Sequence, residues 1–130
     1  MKKIIIVAVI VLVLGVGGFL VFSQMSKPKA IVPFTHDPGD YFITDIKGSS
    51  QLLKADIMIC IADAAIKTEV EEKNHIIRND IIFILRSMTA DQLKAEGVQD
   101  QLSKAITSQL NAEFENEDFL QIYFNEFVIQ

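Results

Sequence analysis

The sequence has no tryptophan, one cysteine, two histidines and three prolines among its 130 residues. With Cys60 alone, no disulfide can form within the chain, which excludes a cystine-stapled fold. Cys60 lies in an apolar stretch, where a buried inert thiol is expected rather than a nucleophile. His36 and His75 stand far apart, and without ligands spaced three or four residues apart they predict no metal site. No serine, threonine or cysteine sits in a nucleophile motif, and no paired acid–base set is visible. The residues therefore predict neither catalysis nor a cofactor. Basic charge is also scarce: all 17 acidic residues lie beyond Ala30, against 8 of the 12 basic ones. A segment of that sign does not neutralise phosphates, so a nucleic-acid partner is not expected. Anionic headgroups would also repel it.

What is present begins with an apolar run. Ile4 to Phe22 (IIIVAVIVLVLGVGGFLVF) holds no charged residue, and its length of roughly 28 Å as a helix suits a hydrocarbon core of about 30 Å. Lys2 and Lys3 precede it, which predicts a cytoplasmic N-terminus and an extracytoplasmic C-terminal part, although Lys27 and Lys29 follow it. A cleaved signal peptide is the rival reading, but the run is long and Ser23-Gln24-Met25-Ser26 offers no small-residue cleavage site. An uncleaved single-pass anchor in the cell membrane is the expectation. Gly15-Val16-Gly17-Gly18 lies inside this run and reads as helix packing, not as a nucleotide fingerprint.

Residues 23–40 read as a linker, because Pro28, Pro33 and Pro38 each remove an amide donor and bias the preceding residue toward extended backbone. A domain is expected over 41–130. Tyr41 to Ile46 reads as a short strand and Lys47-Gly48-Ser49-Ser50 as a turn. In the strand from about Gln51 to Ala62, Leu53, Ala55, Ile57, Ile59 and Ile61 share one face. Met58 and Cys60 extend apolar character to the other face, so cover on both sides is expected at that end.

Asp63 is a plausible N-cap. Ile66, Val70, Ile77, Ile81, Ile84, Leu85 and Met88 then repeat at helical spacing over Ala64–Met88, with a bend or break expected near Lys73-Asn74-His75. Thr89 and Gln92 form a capping box for a short helix that Gly97 stops. A further helix over Val98–Glu115 turns Val98, Leu102, Ala105, Ile106, Leu110 and Phe114 inward. After Asn116-Glu117-Asp118, the run Phe119–Ile129 has strand composition. The order strand–strand–helix–helix–helix–strand predicts an α+β domain with helices on one face of a short sheet.

Candidate sites are few. Glu113 to Asp118 carries oxygen donors without the loop glycine and alternation of a calcium site, and reads as a solvated helix end. Ile76, Ile82 and Phe83 lie 120–140° from the core stripe, at about 100° per residue. Two readings stand for them: burial beneath the linker or in a two-sided core, or a self-association surface. Arg78 and Asp80 flank the stripe on opposite sides, where each could reach a neighbouring element or subunit.

Ile77-Arg78-Asn79-Asp80-Ile81-Ile82, then Leu85-Arg86-Ser87-Met88-Thr89, Leu93 and Gly97, resemble the C-terminal domain of the flagellar basal body-associated protein FliL family. The ending Ile122-Tyr123-Phe124-Asn125-Glu126-Phe127-Val128-Ile129-Gln130 resembles that family's closing strand. The resemblance spans essentially the whole chain. It implies a stomatin-like (SPFH) domain fold and a non-enzymatic accessory protein of the flagellar motor. It also implies a homo-oligomeric ring around the stator units that supports motility, chemotaxis and flagellar rotation. The residues alone leave a second class open, an anchored extracytoplasmic module binding a small ligand or envelope component. That class would need a cluster of convergent polar side chains.

Overall fold

The computed structural model describes residues 31–130; the expected anchor at 4–22 and residues 23–30 of the expected linker lie outside the described residues. The described residues form one compact unit. Among them no helix is long and apolar enough to cross a membrane.

The domain is organised around its longest apolar alternation. Leu52–Ile61 forms strand β3, preceded by β1 (Phe34–His36) and β2 (Phe42–Asp45) and followed late in the chain by β4 (Phe119–Ile129). β3 pairs antiparallel with all three: β1 and β2 lie end to end along one edge and β4 lies along the other. Leu53, Ala55, Ile57, Ile59 and Ile61 are each at most 1% exposed, as the alternation requires when only one face is covered. Among the described residues the second face is open: Met58 and Cys60 are half-buried beside Lys54 and Asp56, and no described element supplies the expected cover on that side.

Four helices pack on the buried face. A short 3-10 turn at Ala64–Ile66, capped by the Asp63 carboxylate accepting from the Ala65 amide at 2.9 Å, leads into α1 (Lys67–Glu72). The long helix expected over Ala64–Met88 breaks at Lys73, and α2 (Asn74–Arg86) continues it. Val70, Ile77, Ile81 and Leu85 are fully buried, and Ile66, Ile84 and Met88 pack against them. α3 (Ala90–Lys94) starts with the expected capping box: Thr89 Oγ1 accepts from the Gln92 amide at 3.3 Å, and Gln92 Oε1 accepts from the Thr89 amide at 2.9 Å. Gly97, with φ of +77°, makes the left-handed step into α4 (Val98–Phe114).

Two expectations need correction. Phe34–His36, placed in the linker on the strength of its prolines, is a strand of the sheet, with Phe34 opposite Ile61 and His36 opposite Ile59. Pro33 stands just before this strand and Pro38 just after it, where neither removes a ladder bond. Ala105, expected inward, is exposed, whereas Ser103 and Thr107 are buried. The polar row Ser103, Thr107, Asn111 runs at four-residue spacing beside the apolar row Leu102, Ile106, Leu110, Phe114. Its two ends serve the sheet, while the Thr107 hydroxyl donates back to the Ser103 carbonyl of its own helix. Asn111 Oδ1 accepts from the Phe119 amide at 2.9 Å while its Nδ2 donates to the Phe119 carbonyl at 3.1 Å. Ser103 Oγ accepts from the Ile122 amide at 2.9 Å. α4 thus occupies the outer edge of the first half of β4.

α4 ends where Glu115 turns left-handed (φ 54°), with the amides of Glu115 and Asn116 donating back to the carbonyls of Ala112 and Asn111. Ile81 is the midpoint of the stripe by which α2 reaches the core. Ile81→Ala should cost about 2–5 kcal/mol, read as a lowered denaturation midpoint with an unchanged slope. A loss below about 0.5 kcal/mol, the range of surface changes, would contradict this packing.

Candidate interaction surface

The five candidate residues of α2 meet different fates. Ile82 packs against the core and Ile76 is half-buried, so for these two the burial reading accounts for most of the side chain. Phe83 does not follow them: 77% of it is exposed. With Asn79, Ile82, Arg86 and Ser87 it lines a shallow groove of about 320 Å³. A phenyl ring left in water forgoes roughly 1.5–3 kcal/mol of burial, which makes Phe83 the residue on this helix with most to gain from a partner. Arg86 at the groove's end reaches Asp45 of β2 at 3.1 Å. Both side chains are largely exposed, so that contact contributes little to stability.

Arg78 is directed inward along the chain. Its Nη1 donates to the carbonyls of Pro38 (3.1 Å) and Asp40 (3.0 Å), and its guanidinium lies 4.2 Å from the Phe42 ring centroid. Asn74 Nδ2 donates to the same Pro38 carbonyl at 2.9 Å, and His36 Nε2 donates to Asn74 Oδ1 at 2.7 Å. These three side chains clasp the crossing from β1 to β2, where Gly39 adopts φ +113° and its amide donates to Asp37 Oδ1 at 2.9 Å. A planar guanidinium with a fork of donors suits two backbone carbonyls and an aromatic face at once, which an ammonium does not. The break between α1 and α2 places Asn74 at the first position of a new helix, within reach of Pro38.

Asp80 faces α4. Its Oδ2 is buried with no hydrogen-bond partner among the described residues. Its carboxyl is pushed above the ordinary aspartate range, first by loss of solvent and then by the charge of Glu113, with Gln109 opposing the rise. The α2–α4 contact therefore carries two acids and no basic side chain among the groups acting on Asp80. Lys73, nearby in sequence to α2, is committed instead to Glu69 at 2.9 Å.

The closing-strand residues lie in β4. Ile122 is buried; Phe124 and Phe127 are half-buried and meet edge-to-face, 5.4 Å between centroids. Tyr123 and Val128 are exposed on the open face, opposite Met58 and Lys54. Gln130 exchanges backbone bonds with Leu52, both 2.8 Å. Sequence reasoning missed the Asn111 and Ser103 contacts; the signal was the four-residue polar row on an otherwise apolar flank. Among the described residues no three His, Cys, Asp or Glu side chains gather in a way that could hold a metal ion.

What the geometry offers is contact surface on an α+β domain: an exposed aromatic groove on one helix and a sheet face left open among the described residues. The chain matches the family described as "Flagellar basal body-associated protein FliL" over residues 36–130, and it belongs to that family. It is 27% identical over 109 residues to the "Flagellar protein FliL" of Aquifex aeolicus (strain VF5), covering 82% of this chain and 66% of that relative. The chain thus spans just under two thirds of that relative's length.

Asp80 makes stability depend on pH in a defined direction. With its folded pKa raised above the ordinary value, the ionised carboxylate opposes folding at neutral pH. That penalty disappears as pH falls through the raised value toward the ordinary one. Asp80→Asn should therefore raise the melting temperature at pH 7 and make little difference near pH 3.5. A variant less stable than the parent at pH 7 would show that the carboxylate is held by a partner.

Proposed function

We propose that this chain is a non-enzymatic accessory protein of the flagellar motor, anchored in the cell membrane by residues 4–22. In this reading its acidic domain stands outside the membrane and supports the stator units by oligomerising around them. Membership of the FliL family, over nearly the whole described domain, is the observation that carries the reading. The exposed Phe83 and its groove supply a surface suited to the protein contacts it requires. Arg78 steadies the same helix by holding the β1–β2 crossing, and Asp80 lies within the α2–α4 contact. Tethering to one membrane raises effective concentration, so contacts that are weak in solution suffice for assembly.

The test is genetic and mechanical. A strain lacking the gene should still build flagella but swim poorly under load, and the wild-type gene should restore it. Phe83→Glu, accumulating to normal levels, should fail to restore torque. Full torque in the deletion strain, or full rescue by Phe83→Glu, would contradict the reading.

A further inference from the structure

Residues 34–41 carry two characters at once. By composition they continue the linker: Pro33 stands before them, Pro38 within them, and no apolar period runs through them. By structure Phe34–His36 is a strand of the sheet. That strand nonetheless lies outside the core. Of residues 31–41 only Pro38 is buried, and the buried apolar cluster begins at Phe42, with Phe34 packed against it. β3 has a partner without β1, because β4 pairs with it from Leu53 to Ile61. What fastens the segment is polar. Besides the ladder with β3, Asn74 and Arg78 donate to the Pro38 and Asp40 carbonyls, His36 meets Asn74, and the Ala64 amide donates to the Val32 carbonyl at 2.7 Å. Asn74 and Arg78 are half-buried, so water replaces these bonds when they break. The net gain from each is small for that reason.

We propose that β1 and the crossing after it are a releasable length of tether. In one state they are docked on β3; in the other they are detached as far as Tyr41, while the domain from Phe42 onward stays folded. The inference rests on the reading of residues 4–22 as the anchor, which this segment joins to the rest of the domain. Docked, the connection is residues 23–33, which reach at most about 40 Å; released, it is residues 23–41, which reach at most about 65 Å. The domain then stands farther from the membrane with its own contact surfaces unchanged, since Phe83 and its groove belong to the part that stays folded. Arg78 is the catch. Its one guanidinium spans the carbonyls on either side of Gly39, whose φ of +113° makes the turn between them. The linker-like composition of a segment that forms a strand has its reason here: the same residues serve both states.

The test uses the full-length chain in phosphatidylcholine vesicles, with spin labels on Thr35→Cys and Val128→Cys and with Cys60→Ser. The two labelled positions lie opposite Cys60 and Lys54 on the open face, and strand spacings put them roughly 22 Å apart when docked. The parent should show this sharp distance above a minor, broad and longer component. Arg78→Ala should enlarge the broad component about threefold or more, and Asn74→Ala should enlarge it less, while the domain still melts cooperatively. No longer component in Arg78→Ala, or unfolding of the whole domain in both variants, would overturn the proposal. Use of the released state is tested by a lock. Thr35 stands directly opposite Cys60, within the span of a disulfide, so Thr35→Cys in the otherwise native chain fastens β1 on oxidation. In a strain lacking the gene, the locked chain should restore less than about half the torque that Thr35→Ser restores, and a reductant should return the rest. Full torque from the locked chain would overturn the tether's role. Full torque in the strain lacking the gene would instead sink the flagellar reading, and the spin-label distances would then decide the release by themselves.

Discussion

One strand carries the constraint on which the domain depends. β3 pairs with all three other strands and buries every second side chain from Leu53 to Ile61, while Lys54 and Asp56 stand on the other face. A slip of one residue would carry an ammonium and a carboxylate into the core, each at a cost of several kcal/mol. The register of the whole sheet is therefore fixed by charge as much as by apolar burial. The helices have only one face to cover, and α2 and α4 divide it between them. Everything on the periphery is arranged around that fixed frame: the clasp at Pro38, the groove at Phe83 and the half-guarded edge of β4.

The peripheral features share a logic of side chains standing in for backbone. Asn111 offers the Phe119 backbone both an acceptor and a donor, as a neighbouring strand would. Asn74 and Arg78 do the same for the carbonyl groups of the β1–β2 crossing. Buried or half-buried backbone groups need such partners wherever the ladder stops. At Phe127 and Ile129 the ladder stops without one among the described residues, and that contrast within a single strand marks its free half.

The parts legible in the sequence were those with a period. The alternation in β3, the stripe through Ile77, Ile81 and Leu85, the capping box at Thr89 and the strand at Phe119–Ile129 could be read directly. Each rests on local geometry that repeats. β1 could not be read that way, because three residues between prolines have no period, and its place depends on Asn74 and Arg78, about 40 positions away. Ala105 was misplaced because apolar spacing was weighed without the polar row beside it. Of the surface candidates, Phe83 was legible as a residue off the stripe. The inward commitment of Arg78 was not, since its acceptors are carbonyls that any sequence would supply.

Native-state hydrogen exchange decides whether β3 is the frame and the β1 edge an addition held by side chains. The amides of β3 that bond to β4 should exchange only through global unfolding, with the largest protection in the domain. Those of Phe34–His36 should open earlier, and earlier still when Arg78 is replaced by Ala. Protection in β3 no greater than that of β1, or a β1 edge indifferent to Arg78, would contradict the account.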